Sequence, residues 1–249
     1  MNRDKQLTCI ILGGFLSRPS FYVSMTKDIE SLSGYDVKIV EIPQLLWLSV
    51  SVPFGWIPIL KRLDRTIGQI HDSKSSTPLI LIGHSLGGVL GSLYIAAPSV
   101  QAIEFRRRKY VRQLVTLGSP HQNQCRWLHG GPVSRAASRR ALAHPQKDNA
   151  RIICIAGKAV KGNQKGTYEQ RRAFTMYKKI TGEGDVWGDG IIPVSSALLP
   201  ESEHIILENT RHFSRSGEFW YGSPEVVSQW WPRLNLSGAY LRKEALEKI

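Results

Sequence analysis

Cysteine is scarce in this chain. Three residues, Cys9, Cys125 and Cys154, stand among 249. An odd count with no Cys-x-x-Cys spacing argues against a disulfide framework and offers no zinc-ligand pattern. Cys9 and Cys154 lie inside apolar runs, where a free thiol behaves as a small hydrophobe, so the expected compartment is reducing and cytoplasmic. Long hydrophobic runs are missing as well: none reaches the roughly 20 residues that cross a bilayer. Met1-Asn2-Arg3-Asp4-Lys5 followed by an apolar run imitates a signal peptide. However, the run is short, Asp4 stands in the charged region, and no small-residue cleavage site follows. There is no internal repeat, no low-complexity tract and no nucleic-acid-binding motif. Acidic residues are outnumbered, 20 against 33 Lys and Arg, which leaves a net charge of +13.

That excess gathers at Arg106-Arg107-Arg108-Lys109, then at Arg135, Arg139, Arg140, Lys147 and Arg151, and again between Lys158 and Lys179. A basic surface attracts anionic partners, and peripheral contact with an anionic membrane is one reading. The plainer reading, a solvated face, is preferred, and no nucleic-acid partner is expected. Hydrophobic residues make up 42% of the chain and charged residues 21%, enough for a large core. With no visible linker, the expectation is a single domain over 1–249.

Apolar runs alternate with helical patterns, which predicts an α/β fold: a mostly parallel sheet with helices on both faces. The expected strands are 7–13, 36–42, 78–83, 111–117, 151–156 and 203–208. The expected helices are 20–33, 59–73, 85–97 and 224–231. Three stretches break the alternation and read as excursions over one edge of the sheet: 43–58, rich in Trp and Pro; 120–150, basic and irregular; and 157–190, rich in Gly and Lys. Leu241–Ile249 reads as a short amphipathic helix, packed or frayed.

Residues 83–88 are Gly-His-Ser-Leu-Gly-Gly, between the expected strand at 78–83 and the expected helix at 85–97. Strand, G-x-S-x-G turn and helix make a nucleophile elbow. Its glycines leave room for a turn too sharp for side chains, which exposes Ser85 Oγ. The Leu86 N–H, at the helix N-terminus, is then aimed at a developing oxyanion. A serine hydroxyl needs a base and the base needs an orienting acid, which this type of fold supplies in the order Ser, Asp or Glu, His. His212, a few residues beyond the last expected strand, is the candidate base; His144 comes too early and His204 lies within the strand. Asp185 and Asp189 both fall in the interval for the acid. Asp189, flanked by glycines and followed by Ile191-Ile192-Pro193, is preferred because the tight turn lets its carboxylate point back to the site. The loop Gly13-Gly14-Phe15-Leu16 after the first strand places the Phe15 amide as the second oxyanion donor.

The pattern resembles the lipase-like serine esterases of the α/β-hydrolase superfamily across nearly the whole chain. Five segments carry the likeness in order: Gly13-Gly14-Phe15-Leu16, Gly83-His84-Ser85-Leu86-Gly87-Gly88, Leu117-Gly118-Ser119-Pro120-His121, Asp189-Gly190-Ile191-Ile192-Pro193, and His212. The resemblance implies the α/β-hydrolase fold with lid-like excursions. It also implies Ser85 as nucleophile, His212 as base, Asp189 as acid, and an oxyanion hole from the Phe15 and Leu86 amides. No metal or organic cofactor is implied. Many relatives have His-Gly in place of Gly13-Gly14, a change that bears on pocket shape more than on chemistry. His84 is expected to point away from Ser85 Oγ, and His121 to brace the floor of the site.

Substrate identity belongs to the excursions. Leu45, Leu46, Trp47, Val50, Val52, Phe54 and Trp56 either line an acyl pocket and an apolar lip or form a buried cluster over the sheet edge. Gly14, Leu16, Trp47 and Trp56 are the expected substrate-contacting residues. The resulting expectation is a hydrolase of carboxylic esters with lipid-like or otherwise hydrophobic acyl groups. Thioester hydrolysis and acyl transfer use the same triad and stay open, as does a non-catalytic module docking on anionic surfaces.

Overall fold

Strongly apolar five- to eight-residue segments have to be covered on both sides, and a parallel sheet between helical layers does this. A computed structural model describes residues 7–73, 78–96, 99–100, 102–125, 131–143, 150–214 and 219–234. Six strands form its central sheet: β1 Thr8–Leu12, β2 Asp36–Ile39, β3 Leu79–His84, β4 Val111–Leu117, β5 Arg151–Lys158 and β6 Glu203–Glu208. Their spatial order is β6-β5-β4-β3-β1-β2, with every pairing parallel. The expected mostly parallel sheet is thus wholly parallel across these six strands.

Alternation along each strand sorts its side chains into two cores. Ile10, Leu12, Leu79, Leu81 and Leu114 face one layer, which is covered by helices α2 Ile57–Ser73, α3 Leu86–Ala96 and α4 Gly131–Ala143. Cys9, Ile11, Ile80, Ile82, Val115, Ile153 and Ile205 face the other. That layer is covered by α1 Val23–Ser33 and by the short helix Pro224–Trp230 near the end of the described chain. In α2 the buried residues Ile59, Leu60, Leu63, Ile67 and Ile70 repeat at helical spacing.

The connections after β1 and β3 leave for opposite faces, α1 to one and α3 to the other. The chain therefore changes direction between neighbouring strands, and the C-terminal ends of β1 and β3 flank a topological switch point, where a crevice opens. Register keeps these ends level: Leu12 pairs with Gly83, and His84 with Leu117.

Two stretches read as excursions contain substantial helices. Within 120–150 lies α4, and within 157–190 lies α5, Tyr168–Thr181. Helix α5 opens on a capping box in which the Thr167 side chain accepts from the Gln170 N–H and the Gln170 side chain accepts from the Thr167 N–H. It buries Ala173, Tyr177 and Ile180, and closes on Gly182 in the left-handed region. The surrounding glycines and lysines obscure this pattern in the sequence. The excursion at 43–58 is largely a 3-10 helix, Gln44–Ser51. Leu241–Ile249 and the first six residues lie outside the described residues. Among the described residues no helix is long and apolar enough to cross a membrane.

Leu90 is fully buried where α3 meets the sheet. Leu90→Ala is expected to destabilise the protein by about 2–5 kcal/mol, read as a lower urea midpoint at unchanged slope. A loss under about 1 kcal/mol would mean that this interface repacks freely.

Candidate active site

The candidate residues meet at the C-terminal ends of the strands. Ser85 stands alone in the turn between β3 and α3 with φ 52°, a left-handed conformation that a side chain rarely adopts. Its N–H donates to the Leu117 carbonyl at 2.8 Å, tying the turn to the end of β4. The loop after β1 comes equally close: a Cβ on Gly14 would stand 2.9 Å from the Ser85 Cβ, so only glycine lets this backbone lie against the serine. Ser85 is half-buried and reachable, whereas His212 and Asp189 are 2% exposed.

His212 follows β6 and points its Nε2 at Ser85 Oγ, 3.0 Å away. Its Nδ1 lies 2.7 Å from Asp189 Oδ2. A carboxylate only accepts, so the proton sits on Nδ1 and the Nε2 lone pair faces the serine. The Asp189 carboxylate is itself held from three further directions. The N–H groups of Ile191 and Ile192 donate to Oδ1 at 3.0 and 2.7 Å, and the Tyr221 hydroxyl donates to Oδ2 at 2.9 Å. Tyr221 also accepts from the Gly157 N–H at 2.7 Å, which anchors it to β5. Burial, then the charge on Asp189, pushes the Tyr221 phenol well above its ordinary range, so it stays a donor. The His212 N–H donates to the Asp189 carbonyl at 3.0 Å, joining the two loops by backbone as well.

Tyr221 was invisible to sequence reasoning because nothing in its local pattern distinguishes it from a core aromatic. The same holds for Tyr177 of α5, whose hydroxyl accepts from the Gly190 N–H at 2.8 Å and donates to the Val160 carbonyl at 3.1 Å. The competing acid, Asp185, is exposed and pairs with Lys161 at 3.4 Å. His204 is exposed on β6, with its Nε2–H donating to the Leu199 carbonyl. His144 lies outside the described residues. The Leu86 amide follows Ser85 in the chain and the Phe15 amide follows Gly14, which abuts the serine; neither amide has an acceptor among the described residues.

The expected substrate contacts divide. Gly14 abuts Ser85, and Leu16 is exposed beside it at φ 58°. Trp47 and Trp56 are buried in the core with Leu12 and Leu86, so neither stands on an open surface. An indole hides more apolar area than any other side chain, and filling the space under the 3-10 helix is the better use of it. The exposed residues of this segment are instead Leu45, Leu48, Val52 and Phe54. Gln44 ties the segment to the loop after β1: its Nε2 donates to the Leu16 carbonyl at 3.0 Å, and its Oε1 accepts from Arg18. On the far side of His212 a cavity of about 50 Å³ is lined by Tyr168, Glu169, Arg172, Arg211, Ile191 and Phe213, among others, with Arg211 ion-paired to Glu169.

A family model described as PGAP1-like alpha/beta domain matches residues 58–143, about a third of the chain, spanning α2 to α4. No curated protein sequence matches the chain. Among solved structures, the product of the lin2722 gene from Listeria innocua superposes with a TM-score of 0.53 at 13% identity, over 93% of this chain and 95% of that one. Est1E from Butyrivibrio proteoclasticus, in a structure with ferulic acid bound, gives 0.51 at 15% identity over 95% and 90%. The chain has the α/β-hydrolase fold.

Two other histidines lie beneath the site. His84 is fully buried, and His121 contacts Thr116 Oγ1 through Nε2 at 3.1 Å. Burial pushes His121 down to about 3 and His84 well below its ordinary range. A histidine whose folded pKa is depressed binds its proton preferentially when unfolded. Its contribution to stability is therefore complete above about pH 6.5 and is lost as pH falls toward 3. His121→Gln is expected to flatten the fall in unfolding free energy between roughly pH 6 and roughly pH 4 by about 1 kcal/mol per pH unit. An unchanged slope would mean that His121 titrates normally.

Proposed function

Taking the α/β-hydrolase fold as given, we propose that this chain is a serine hydrolase of carboxylic esters with hydrophobic acyl groups. The observation that carries the reading is the continuous line Ser85 Oγ, His212, Asp189, with contacts of 3.0 and 2.7 Å. In this reading His212 Nε2 takes the Ser85 proton as Oγ attacks the substrate carbonyl. The tetrahedral oxyanion lies between the Phe15 and Leu86 amides, each such donor contributing roughly 3–4 kcal/mol of transition-state stabilisation. Collapse expels the alkoxide, which takes the proton from His212 and leaves an acyl ester on Ser85. Water, deprotonated by the same imidazole, attacks that ester and releases the acid and the free serine. Asp189 holds the ring in the Nδ1–H tautomer throughout and stabilises the imidazolium that forms at each attack. Est1E, among the structural neighbours, shares the fold and says nothing of this chain's substrate.

Support for a hydrophobic acyl group comes from the loop after β1 and the segment that Gln44 ties to it. Phe15, Leu16, Leu45, Leu48, Val52 and Phe54 are all exposed, and the segment from Ile42 to Leu60 carries no charge. Leu16 and Phe54 hold positive φ, so the backbone bears strain while presenting these side chains to solvent. The leaving alcohol has to lie within reach of His212 Nε2, on the Ser85 side of the ring. The exposed apolar residues with the net positive charge of the chain also suit peripheral contact with an anionic membrane.

A fluorophosphonate probe is expected to add one adduct to the wild-type protein and none to Ser85→Ala, read by intact mass. Ester turnover should fall roughly 10⁴-fold or more in Ser85→Ala. The combined variant Leu45→Ser, Leu48→Ser, Phe54→Ser should lose activity on octanoyl esters about ten-fold more than on acetyl esters. Absence of any adduct on folded wild type would overturn the hydrolase reading, and exclusive cleavage of acetyl esters would overturn the acyl preference.

A further inference from the structure

The site holds a second chain of polar contacts that the triad does not use. Tyr22 immediately precedes α1, and His84 is the last residue of β3, next to Ser85. Both are buried, at 1% and 0% exposure. The Tyr22 hydroxyl lies 2.8 Å from the Gly14 N and 2.9 Å from His84 Nδ1, and His84 Nε2 lies 3.1 Å from the His212 carbonyl oxygen.

The proton directions in this chain follow from its ends. The Gly14 N–H only donates and the His212 carbonyl only accepts, so His84 carries its proton on Nε2. A neutral imidazole then offers a lone pair at Nδ1, and the Tyr22 hydroxyl donates to it while accepting from Gly14. Neutrality is expected here, since burial holds His84 well below its ordinary range. Every donor along the chain is thus matched to an acceptor, from the loop after β1 to the loop after β6.

The Gly14 end bears on the candidate oxyanion donor. The Gly14 carbonyl accepts from the Ser17 N–H at 3.1 Å and from Ser17 Oγ at 2.7 Å. That carbonyl shares a planar peptide with the Phe15 N–H, which therefore points the opposite way. One side of Gly14 is tied by Ser17 and the other by Tyr22, so the direction of the Phe15 N–H is set before any substrate arrives. We propose that Tyr22 and His84 are positioning residues, a buried brace that holds the Phe15 oxyanion donor and the backbone of His212 in fixed relation across Ser85. The inference rests on the serine-hydrolase reading above.

Because the brace acts on transition-state stabilisation, its removal should lower kcat and leave KM nearly alone. In Tyr22→Phe, with active sites counted by titration, kcat is expected to fall about 10- to 100-fold, with KM within about two-fold of wild type. Phosphonate labelling of Ser85 should slow in parallel, while the acidic limb of the pH profile stays where wild type has it, since the partners of His212 are untouched. His84→Asn keeps an acceptor near Nδ1 for Tyr22 and loses the donor to His212. It should give a smaller fall in kcat, and it carries the same test if Tyr22→Phe does not fold. Variants that keep kcat and labelling rate within about two-fold, losing only thermal stability, would overturn the brace. Failure of wild type to label at Ser85 would instead overturn the hydrolase reading, so the two failures are told apart.

Discussion

The left-handed backbone at Ser85 is the constraint from which the rest of the site follows. A non-glycine residue in that region costs about 1–2 kcal/mol and persists only where its surroundings leave no alternative. Those surroundings are the end of β4, which accepts the Ser85 N–H, and the start of α3, which packs directly against the end of β1. A Cβ on Gly87 would stand 2.2 Å from the Leu12 carbonyl oxygen, so helix and strand meet backbone to backbone. The close approach of β1, β3 and α3 leaves Ser85 one way to point, toward the crevice at the switch point.

Beside this strained turn the Asp189 carboxylate is matched on both oxygens. The Asp189 carboxylate accepts from an imidazole, a phenol and two backbone amides, each from a different direction. Neutral tyrosines do most of the tying: Tyr221 joins Asp189 to β5, Tyr177 holds Gly190, and Tyr22 joins Gly14 to His84. A phenol suits such junctions because burial raises its pKa, keeping it uncharged while it both donates and accepts. Charged groups at the same places would require partners of opposite sign in a dry interior.

Much of the fold was legible in the sequence. Strands such as Leu79–His84 open on an unbroken apolar run and are bounded by breakers, and this needs no partner to be read. The G-x-S-x-G turn was legible because its glycines and its flanking strand and helix are all local. Helices α4 and α5 were not, since their buried residues are few and glycine, proline and lysine dilute the periodicity. The roles of Trp47 and Trp56 were left open by the sequence for a related reason. Composition marks the 43–58 segment as apolar, but one sequence does not say which of its side chains face inward, and the indoles took the core while Leu45, Leu48, Val52 and Phe54 took the surface.

By itself the sequence determined the alternation of apolar strands and helices, the turn at Ser85, and the order in which a serine, two competing aspartates and a late histidine occur. These are properties of short segments, set by side-chain size, backbone freedom and polarity along the chain. Only the tertiary structure decided which of Asp185 and Asp189 lies against His212, and it alone brought Tyr22, Tyr221 and His84 to the site. Those contacts span 23 to 128 positions and depend on the parallel register that brings the strand ends level. No local pattern encodes such a register, because it is set by how the helices pack on the two faces of one sheet.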